Sequence, residues 1–311
     1  MIRAVVSDLF GTLTPKWSRR VSDESKAVIA KAVGVPAAAF GACWHRTWLD
    51  REIGRMSLEE SLADTLSCLG VACDHERITE LATTWTGIVQ QRVVPRDARV
   101  IETLRWCRER GLKTGLVSNA GPTVPRVFKG SPLAPLFDAA VFSCDVGIAK
   151  PDPAIYGSVC GLLSVDPRDC IYIGDGGDDE LQGAERFGMK PVLLRVEAEL
   201  DDEGLPPGAA RWDGAVIHSF EHVRQNIENE SIGISGSRMT HLLTVARARG
   251  AGAFTASYCA RGTTLPSALI FSTPVVDSKK TNFSSTDTFS AGLSTFCVRV
   301  FSITLTRPCP G

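Results

Sequence analysis

The chain has 311 residues, of which 34 are Lys or Arg, 35 are Asp or Glu, and 44% are hydrophobic. This length allows one large domain or two ordinary ones, so the fold does not depend on disulfides or a metal to stabilise a small core. The balanced charge argues against nucleic-acid binding through bulk positive charge. The charge is uneven along the chain, because residues 1–230 hold 26 basic and 33 acidic side chains, whereas residues 231–311 hold 8 and 2. An acidic part is therefore followed by a shorter basic part.

The acidic part alternates between short apolar strands and helices. The predicted strands cover 2–7, 113–117, 139–143, 170–173 and 190–195. A predicted helix over 95–111 precedes the second strand, and further helices cover 153–163, 179–187 and 220–226. Because the strands are apolar throughout, both faces of their sheet are expected to be buried. The pattern predicts an α/β fold with a Rossmann-like parallel sheet core and helices on both faces.

Between the first two strands the pattern is helical only. Predicted helices cover 24–32, 37–51, 58–69 and 75–91. Ser57, followed by Glu59 and Glu60, is typical of a helix N-cap. The sequence therefore predicts an inserted helical domain over residues 15–93, with the α/β core formed by 1–14 and 94–228.

Polar residues occur where predicted strands end. They are Asp8, Ser118, Lys150 in its loop, and Asp175. In an open α/β sheet, ligands bind beyond the carboxyl ends of the strands. Two carboxylates, a hydroxyl and an ammonium group are what a phosphoryl site with a divalent cation requires.

The sequence around these residues resembles the haloacid dehalogenase (HAD) superfamily of hydrolases over about residues 1–226. Four motifs occur in the family's order: Asp8-Leu9-Phe10-Gly11-Thr12-Leu13-Thr14, Ser118-Asn119, Lys150-Pro151-Asp152-Pro153 and Gly174-Asp175-Gly176-Gly177-Asp178-Asp179-Glu180. Each motif alone is weak, but all four at the ends of predicted strands are specific. The resemblance implies subfamily I, with residues 15–93 forming a C1-type cap over the site.

The resemblance also implies roles for the motif residues. Asp8 would be the nucleophile, giving a covalent aspartyl intermediate that water resolves. The Mg²⁺ ligands that the resemblance implies are Asp8, the backbone carbonyl of Phe10, and Asp175, assisted by Glu180 or Asp179. The other catalytic positions that it implies are Lys150, Ser118 and Thr12, with Asn119 binding substrate.

Position 10 departs from the phosphatases of this superfamily, which carry there a second Asp that protonates the leaving oxygen. Phe10 cannot transfer a proton, and losing a general acid or base commonly costs about 10² to 10⁴ in rate. The favoured function is Mg²⁺-dependent hydrolysis of a small phosphate ester with low activity.

Two alternatives stay open. A 2-haloacid dehalogenase has an aromatic residue at position 10 and needs neither metal nor leaving-group proton; Tyr156 agrees with it, but dehalogenases lack an acid at the place of Asp175. A non-catalytic phosphate-binding or regulatory protein on the same scaffold is the second alternative.

The inserted helices are expected to supply the substrate contacts. Arg46 and Arg55 are candidate contacts to an anionic substrate, and a solvated helix face is the alternative for each. Trp44 and Trp48 lie four residues apart, which favours a hydrophobic seam. The expected partner is a small phosphorylated or otherwise anionic metabolite, with no nucleic acid and no membrane, for a monomer or homodimer.

The ten cysteines show no CxxC or zinc-ligand spacing. They are expected to be small buried hydrophobes in a reducing compartment. No apolar run approaches the roughly 18 to 20 residues of a membrane-spanning helix, and the N-terminal apolar run is too short for a signal peptide. The protein is therefore expected to be cytoplasmic.

The basic segment matches no part of the HAD pattern. Ser and Thr make up 24 of residues 231–311. We expect residues 229–311 to be a disordered or poorly packed appendage. A small β-rich unit stays open, since 268–276 and 296–306 have some strand character.

Overall fold

A six-stranded parallel sheet organises the first of two units, residues 1–235, into which the chain divides; the second is 236–311. The computed structural model describes residues 1–196, 204–231, 284–289 and 298–302. The strands are β1 (Ala4–Ser7), β2 (Lys113–Ser118), β3 (Ala139–Phe142), β4 (Cys170–Gly174), β5 (Lys190–Leu194) and β6 (Ala215–Ile217). Their order is β3-β2-β1-β4-β5-β6, and every neighbouring pair is parallel. The predicted α/β fold with a Rossmann-like parallel sheet is confirmed.

Helices cover both faces of the sheet, because successive side chains of a strand point to opposite sides. Val5 packs in one hydrophobic cluster with Leu104, and Val6 packs in another with Val159. The helices outside the insertion are α6 (Ala98–Glu109), α7 (Thr123–Lys129), α8 (Ser143–Val146), α9 (Pro153–Leu163), α10 (Glu180–Phe187), α11 (Pro207–Ala210) and α12 (Val223–Ser231).

The insertion between β1 and β2 is helical, as predicted. It consists of α1 (Arg19–Val33), α2 (Ala37–His45), α3 (Trp48–Glu52), α4 (Leu58–Cys68) and α5 (His75–Gln90). These helices bury a hydrophobic cluster of their own around Phe40 and Leu62. Ser57 caps α4 in a capping box with Glu60. Within the described residues no single helix is long and apolar enough to cross a membrane; α1 and α2 together meet the length and composition, but they are bent by 112° at their junction.

The single helix predicted over 37–51 is two helices that break near Thr47. The Trp44 carbonyl accepts hydrogen bonds from the Thr47 hydroxyl at 3.3 Å and from the Arg51 guanidinium at 3.1 Å. Side chains thus take the place of the next backbone N–H, which is the known way in which Ser and Thr compete with a helix. The break changes which residues of α3 face the core.

Cys43 and Cys68 form a disulfide that joins α2 to α4, with their Cα atoms 6.1 Å apart. The prediction of reduced cysteines is therefore wrong for this pair. The two residues lie 25 positions apart, and only the packing of two separate helices brings them together. Cys107, Cys160 and Cys170 are buried without a disulfide, as expected.

In the second unit the structure describes two strands, β7 (Ser284–Phe289) and β8 (Val298–Ser302). They pair antiparallel, with a register shift between Ser285 and Thr288. β8 lies within 296–306, one of the segments with strand character. The other segment, 268–276, and most of the expected appendage from residue 229 lie outside the described residues.

The sheet order brings three strand ends together. β1 lies between β2 and β4, and Ser7 is in register with Leu116 on one side and Ile173 on the other. All three strands run in the same direction, so the residues that follow them emerge at one edge of the sheet. This edge is where an open α/β sheet binds its ligands.

Gly54, just after α3, tests how closely the insertion fits the core. It has a φ of +71°, and a Cβ there would lie 1.9 Å from the Cys144 carbonyl oxygen. We expect Gly54→Ala to lower the free energy of unfolding by about 1 to 3 kcal/mol more than Gly70→Ala, because the backbone must move. Gly70 is the matched control, since its φ is +67° but nothing lies within 4 Å. Urea unfolding measures both, and equal losses would contradict this close fit.

Candidate functional site

The loop after β1 holds Asp8 at the end of its strand. The Asp8 N–H donates to the Ile173 carbonyl at 2.9 Å, and the Leu9 carbonyl accepts the N–H groups of Leu13 and Thr14 at 2.9 and 3.0 Å. Gly11 has a φ of +79°, and a Cβ there would lie 2.3 Å from Asp175 Oδ2. Glycine is thus required for Asp175 to approach this loop.

Lys150 is the centre of the charged site. Its Nζ lies 2.5 Å from Asp8 Oδ1 and 2.6 Å from Glu180 Oε2, and the three side chains are 4%, 7% and 1% exposed. Burial disfavours the charged form of Lys150, but the carboxylates of Asp8 and Glu180 outweigh it and raise its pKa well above the ordinary value. Lys150 therefore stays protonated at neutral pH.

Asp8 has the opposite balance. Burial raises the pKa of its carboxyl group well above the usual range, and the charges of Glu180 and Asp175 act in the same direction. Lys150 opposes the rise by its charge and its hydrogen bond. The ionised form of Asp8 thus depends on cations placed against it.

Hydrogen-bond donors contact both carboxylate oxygens and the backbone carbonyl of Glu180. Tyr172 Oη donates to Oε2 at 2.7 Å, and the Gly176 N–H donates to Oε1 at 3.0 Å. The Tyr156 hydroxyl donates to the Glu180 backbone carbonyl at 2.8 Å. Tyr156 is fully buried, so it acts here as a packing residue that also fixes the start of α10.

Asp8, Asp175 and Glu180 form a group that could hold a metal ion. Each offers a carboxylate oxygen, and these atoms lie within 4.8 Å of one another. Burial, and then Glu180, raise the pKa of Asp175 to about 6. Three carboxylates around one ammonium leave excess negative charge, which a hard divalent cation such as Mg²⁺ would offset with oxygen ligands. The residues therefore fit Mg²⁺.

Asp179, the other acid considered as a metal ligand, points elsewhere. Its Oδ1 lies 2.5 Å from an Arg211 nitrogen, and its side chain is 46% exposed. Of the two candidates, only Glu180 belongs to the acid group. Phe10, whose carbonyl was the other expected ligand, lies in the same loop and lines the cavity described below.

Asn119 connects two loops of the site. Its carboxamide oxygen accepts the Lys150 N–H at 2.7 Å, and its NH₂ group donates to the Lys150 carbonyl at 3.2 Å and to Asp178 Oδ2 at 2.9 Å. The amide expected to bind substrate is thus engaged with the protein and positions Lys150. Ser118 is buried at the end of β2 and lines the cavity, whereas Thr12 is buried, does not line it, and has no hydroxyl partner among the described residues.

A cavity of about 610 Å³ joins these residues to the inserted helices. Its core side includes Asp8, Ser118, Lys150, Asp175 and Glu180, and its other side includes Trp17, Trp44, Trp48, Arg51, Glu52 and Trp85. The ring centroids of Trp44 and Trp85 are 4.8 Å apart, and those of Trp17 and Trp85 are 6.5 Å apart. A charged wall therefore faces a largely aromatic one.

Arg46 and Arg55 do not line this cavity. Both are exposed, and Arg55 lies 3.7 Å from Asp50. Arg51 lines it instead: it is 8% exposed, and its guanidinium carbon lies 3.7 Å from the Trp44 ring centroid. Burial lowers the pKa of Arg51 to about 10, so it is charged at neutral pH. Arg51 also donates to the Thr47 hydroxyl, and this spacing of four residues, which brings two side chains together on a helix, is the sequence signal that could have identified it.

The expected seam of Trp44 and Trp48 is only partly formed. Trp44 is buried and stacks on Phe40, while Trp48 is about half exposed and stacks on His45. The break at Thr47 turns the two rings away from a common face. Sequence reasoning also missed Glu52, a cavity carboxyl whose pKa is raised to about 7 by burial and then by Asp178.

Known proteins resemble this chain over the part that contains the site residues. A model of the haloacid dehalogenase-like hydrolases matches residues 2–188. Haloacid dehalogenase-like hydrolase domain-containing protein 3 of Bos taurus is 36% identical over 99 residues, which are 32% of this chain and 39% of that protein. Phosphoserine phosphatase of Thermus thermophilus is 27% identical over 192 residues, which are 61% and 69% of the two chains.

The chain spans about two fifths of the length of several curated relatives that it matches. Among solved structures, a 2-haloacid dehalogenase from Pseudomonas syringae pv. Tomato has a TM-score of 0.57 at 20% identity, covering 74% of this chain and 100% of that one. At this identity the likeness concerns the fold alone.

Removal of the central ammonium group is the direct test of the charge balance. We expect Lys150→Met to lower the free energy of unfolding in chelator by about 3 to 5 kcal/mol, because it leaves buried carboxylates without their cation. The loss should grow with rising pH as the carboxyl groups ionise. Addition of Glu180→Gln should recover part of it.

The matched control is Lys113→Met. Lys113 is about half exposed and 4.0 Å from Asp138, so this change should cost about 0 to 1 kcal/mol. Urea unfolding at several pH values measures all three variants. Equal losses for Lys150→Met and Lys113→Met would show that the buried ion pairs are not needed for stability.

Proposed function

The chain belongs to the haloacid dehalogenase-like hydrolases, and we propose that it hydrolyses phosphate esters of small metabolites with Mg²⁺, through a covalent phosphate on Asp8. The observation that carries this is the buried group of Asp8, Asp175 and Glu180 around Lys150. A dianionic phosphate cannot approach a carboxylate without cations beside it. The excess of acids over bases supports a cation in addition to Lys150.

Asp8 would attack phosphorus and displace the leaving oxygen, and water would then cleave the acyl phosphate. Lys150 offsets the charge of the attacking carboxylate, to which it is bonded at 2.5 Å. Ser118 would donate its hydroxyl to a phosphoryl oxygen. Asn119 maintains the position of Lys150 by its two backbone contacts. Mg²⁺, held by Asp8, the Phe10 carbonyl, Asp175 and Glu180, would supply charge neutralisation at the phosphoryl oxygens.

The cavity supports a small substrate. At about 610 Å³ it is of the size that binds metabolites, and its mix of aromatic wall and few charged groups is typical of such sites. Residues 15–93, which we propose to act as a C1-type cap, contribute that wall. Arg51 is a buried cationic group of that wall and would attract an additional anionic group of the substrate.

A 2-haloacid dehalogenase is the second candidate, and Phe10 is what favours it. Halide leaves without a proton, so an aromatic residue two positions after the nucleophile would cost nothing in that reaction. Asp175 argues against it, because a metal-free carbon–halogen site gains nothing from the negative charge of another carboxyl group beside Asp8. A phosphate-binding protein without turnover is the remaining alternative.

The proposal predicts Mg²⁺-dependent phosphate release from 4-nitrophenyl phosphate. Asp8→Asn should lower kcat by at least about 10³-fold, because the nucleophile is lost. Mg²⁺ should raise the Tm of the wild type but much less that of Asp175→Asn. Asp179→Asn is the matched control at the next acid, whose carboxylate is paired with Arg211; it should keep the Mg²⁺ shift.

Other outcomes would select the alternatives. Chloride release from 2-chloropropionate in the presence of chelator would favour the dehalogenase. Absence of both activities, with tight binding of beryllofluoride, would favour the phosphate-binding protein. Phosphate release that is unchanged by Asp8→Asn would refute the nucleophile assignment.

A further inference from the structure

The loop after β1, residues 9–14, carries no acidic side chain beside the nucleophile. Phe10 packs its ring edge-on against Trp17, with centroids 5.5 Å apart, and Trp17 contacts Trp85. Position 10 thus belongs to the aromatic wall of the cavity. Hydrolysis of an ester with a poorly acidic leaving group needs a proton from somewhere else.

Five carboxyl groups line the cavity among the described residues, and four of them belong to the α/β core. These are Asp8, Asp175, Asp178 and Glu180. Asp8, Asp175 and Glu180 make up the acid group, and Asp178 accepts a hydrogen bond from Asn119 at 2.9 Å. The fifth is Glu52, at the end of α3 in the inserted helices. Within the described part of the chain, no histidine lines this cavity.

The direction of the reaction places the leaving group on the side of Glu52. In phosphoryl transfer the attacking and leaving oxygens lie roughly in line through phosphorus. Asp8 attacks from the strand edge, so the leaving oxygen departs away from the sheet and into the cavity. Inserted helices also line that cavity, and Glu52, whose carboxyl group interacts with the charges of Asp178 and Lys150, is the carboxyl group that they contribute.

Contacts to the core fix where Glu52 lies. Its backbone carbonyl accepts the Ser143 hydroxyl at 2.7 Å, and Ser143 Oγ in turn accepts the Ala120 N–H at 2.9 Å. Gly54, two residues on, packs so closely on Cys144 that no Cβ fits there. The end of α3 is thereby tied to the loop that carries Ser118 and Asn119.

The surroundings of Glu52 favour its protonated form near neutral pH. Burial and the charge of Asp178 raise its pKa to about 7, while Lys150, Arg51 and a hydrogen bond from Trp48 oppose the rise. The neighbouring helix α8 carries Cys144 and Asp145, neither of which is among the main causes of this shift. A carboxyl group with a pKa near the working pH is suited to both giving and taking a proton.

We propose that Glu52 is the general acid and base of this hydrolase, in the role that Phe10 cannot fill; this inference rests on the proposed phosphate-ester hydrolysis. The Asp8 carboxylate forms a bond to phosphorus as the bond to the leaving oxygen breaks, and that oxygen takes the proton of Glu52. The Glu52 carboxylate then takes a proton from water as the water oxygen attacks phosphorus. The bond between phosphorus and Asp8 breaks, which releases phosphate and restores both carboxyl groups.

The test compares two leaving groups on the full chain with Mg²⁺. For Glu52→Gln, kcat/KM for benzyl phosphate should fall by about 10² to 10⁴-fold, because benzyl alcohol needs a proton to leave. With 4-nitrophenyl phosphate the fall should be far smaller, since nitrophenolate leaves unaided. The ratio of the two values is independent of the fraction of enzyme that is folded. The benzyl phosphate rate of the wild type should decline above neutral pH, and Glu52→Gln should lack this limb.

The matched control is Asp50→Asn on the same helix. Asp50 pairs with Arg55 and does not line the cavity, and Asp50→Asn makes the same change from a carboxyl group to a carboxamide. It should leave both rates and the pH profile unchanged. In the Glu52→Gln background, Phe10→Asp should restore much of the benzyl phosphate rate by supplying a carboxyl group beside Asp8.

The inference is overturned if Glu52→Gln lowers both substrates equally with an unchanged pH profile, or lowers neither. An equal loss would mean that Glu52 only positions α3. If Asp8→Asn has no effect on phosphate release, or neither ester is hydrolysed, the proposed function falls and this inference falls with it. The leaving-group ratio and the Asp8 variant therefore separate the two failures.

Discussion

The ammonium group of Lys150, buried between Asp8 and Glu180, is the interaction on which the site depends. It joins the loop that follows β1, the loop that precedes α9 and the first residue of α10. A buried charge loses its hydration, and the attraction between partners repays that loss only when every donor and acceptor is satisfied. Tyr172 and the Gly176 N–H complete the partners of Glu180, and Asn119 fixes the backbone of Lys150. The surrounding hydrogen bonds thus offset the loss of hydration of these buried charges.

Two glycines, Gly11 and Gly174, allow the acidic side chains to approach the strand ends closely. A Cβ on Gly174 would lie 2.0 Å from Glu180 Oε1, and one on Gly11 would lie 2.3 Å from Asp175 Oδ2. Both glycines let a carboxylate lie directly against a strand end or its loop. Because β1 runs between β2 and β4, this close approach brings the acids into one group. The repulsion among these carboxyl groups therefore follows from how closely the backbone lets them approach one another.

The sheet and its loops could be predicted because their signals are local. Apolar runs of strand length and the polar residues after them are read within a few positions, and parallel order then brings Asp8 and Asp175 together. The wall opposite could not be predicted in the same way. Arg51 and Glu52 line the cavity from α3, beyond the break at Thr47, and the side chains of Thr47 and Arg51 that donate to the Trp44 carbonyl there leave no clear periodic signal in the sequence. The Cys43–Cys68 disulfide likewise depends on how α2 and α4 pack.

The surroundings of Phe10 give a physical reason for an uncharged side chain at this position. An acid at this position would stand in the same low-dielectric pocket as Asp8 and Asp175, whose pKa values burial already raises. A phenyl ring adds no charge and extends the aromatic surface of Trp17 and Trp85. In the proposed reaction, proton transfer is the role of Glu52 and charge stabilisation is the role of Lys150. If Glu52 is the proton donor, as we propose, the hydrogen bond from Ser143 to the Glu52 carbonyl connects the position of α3 on the core to the protonation of the leaving group.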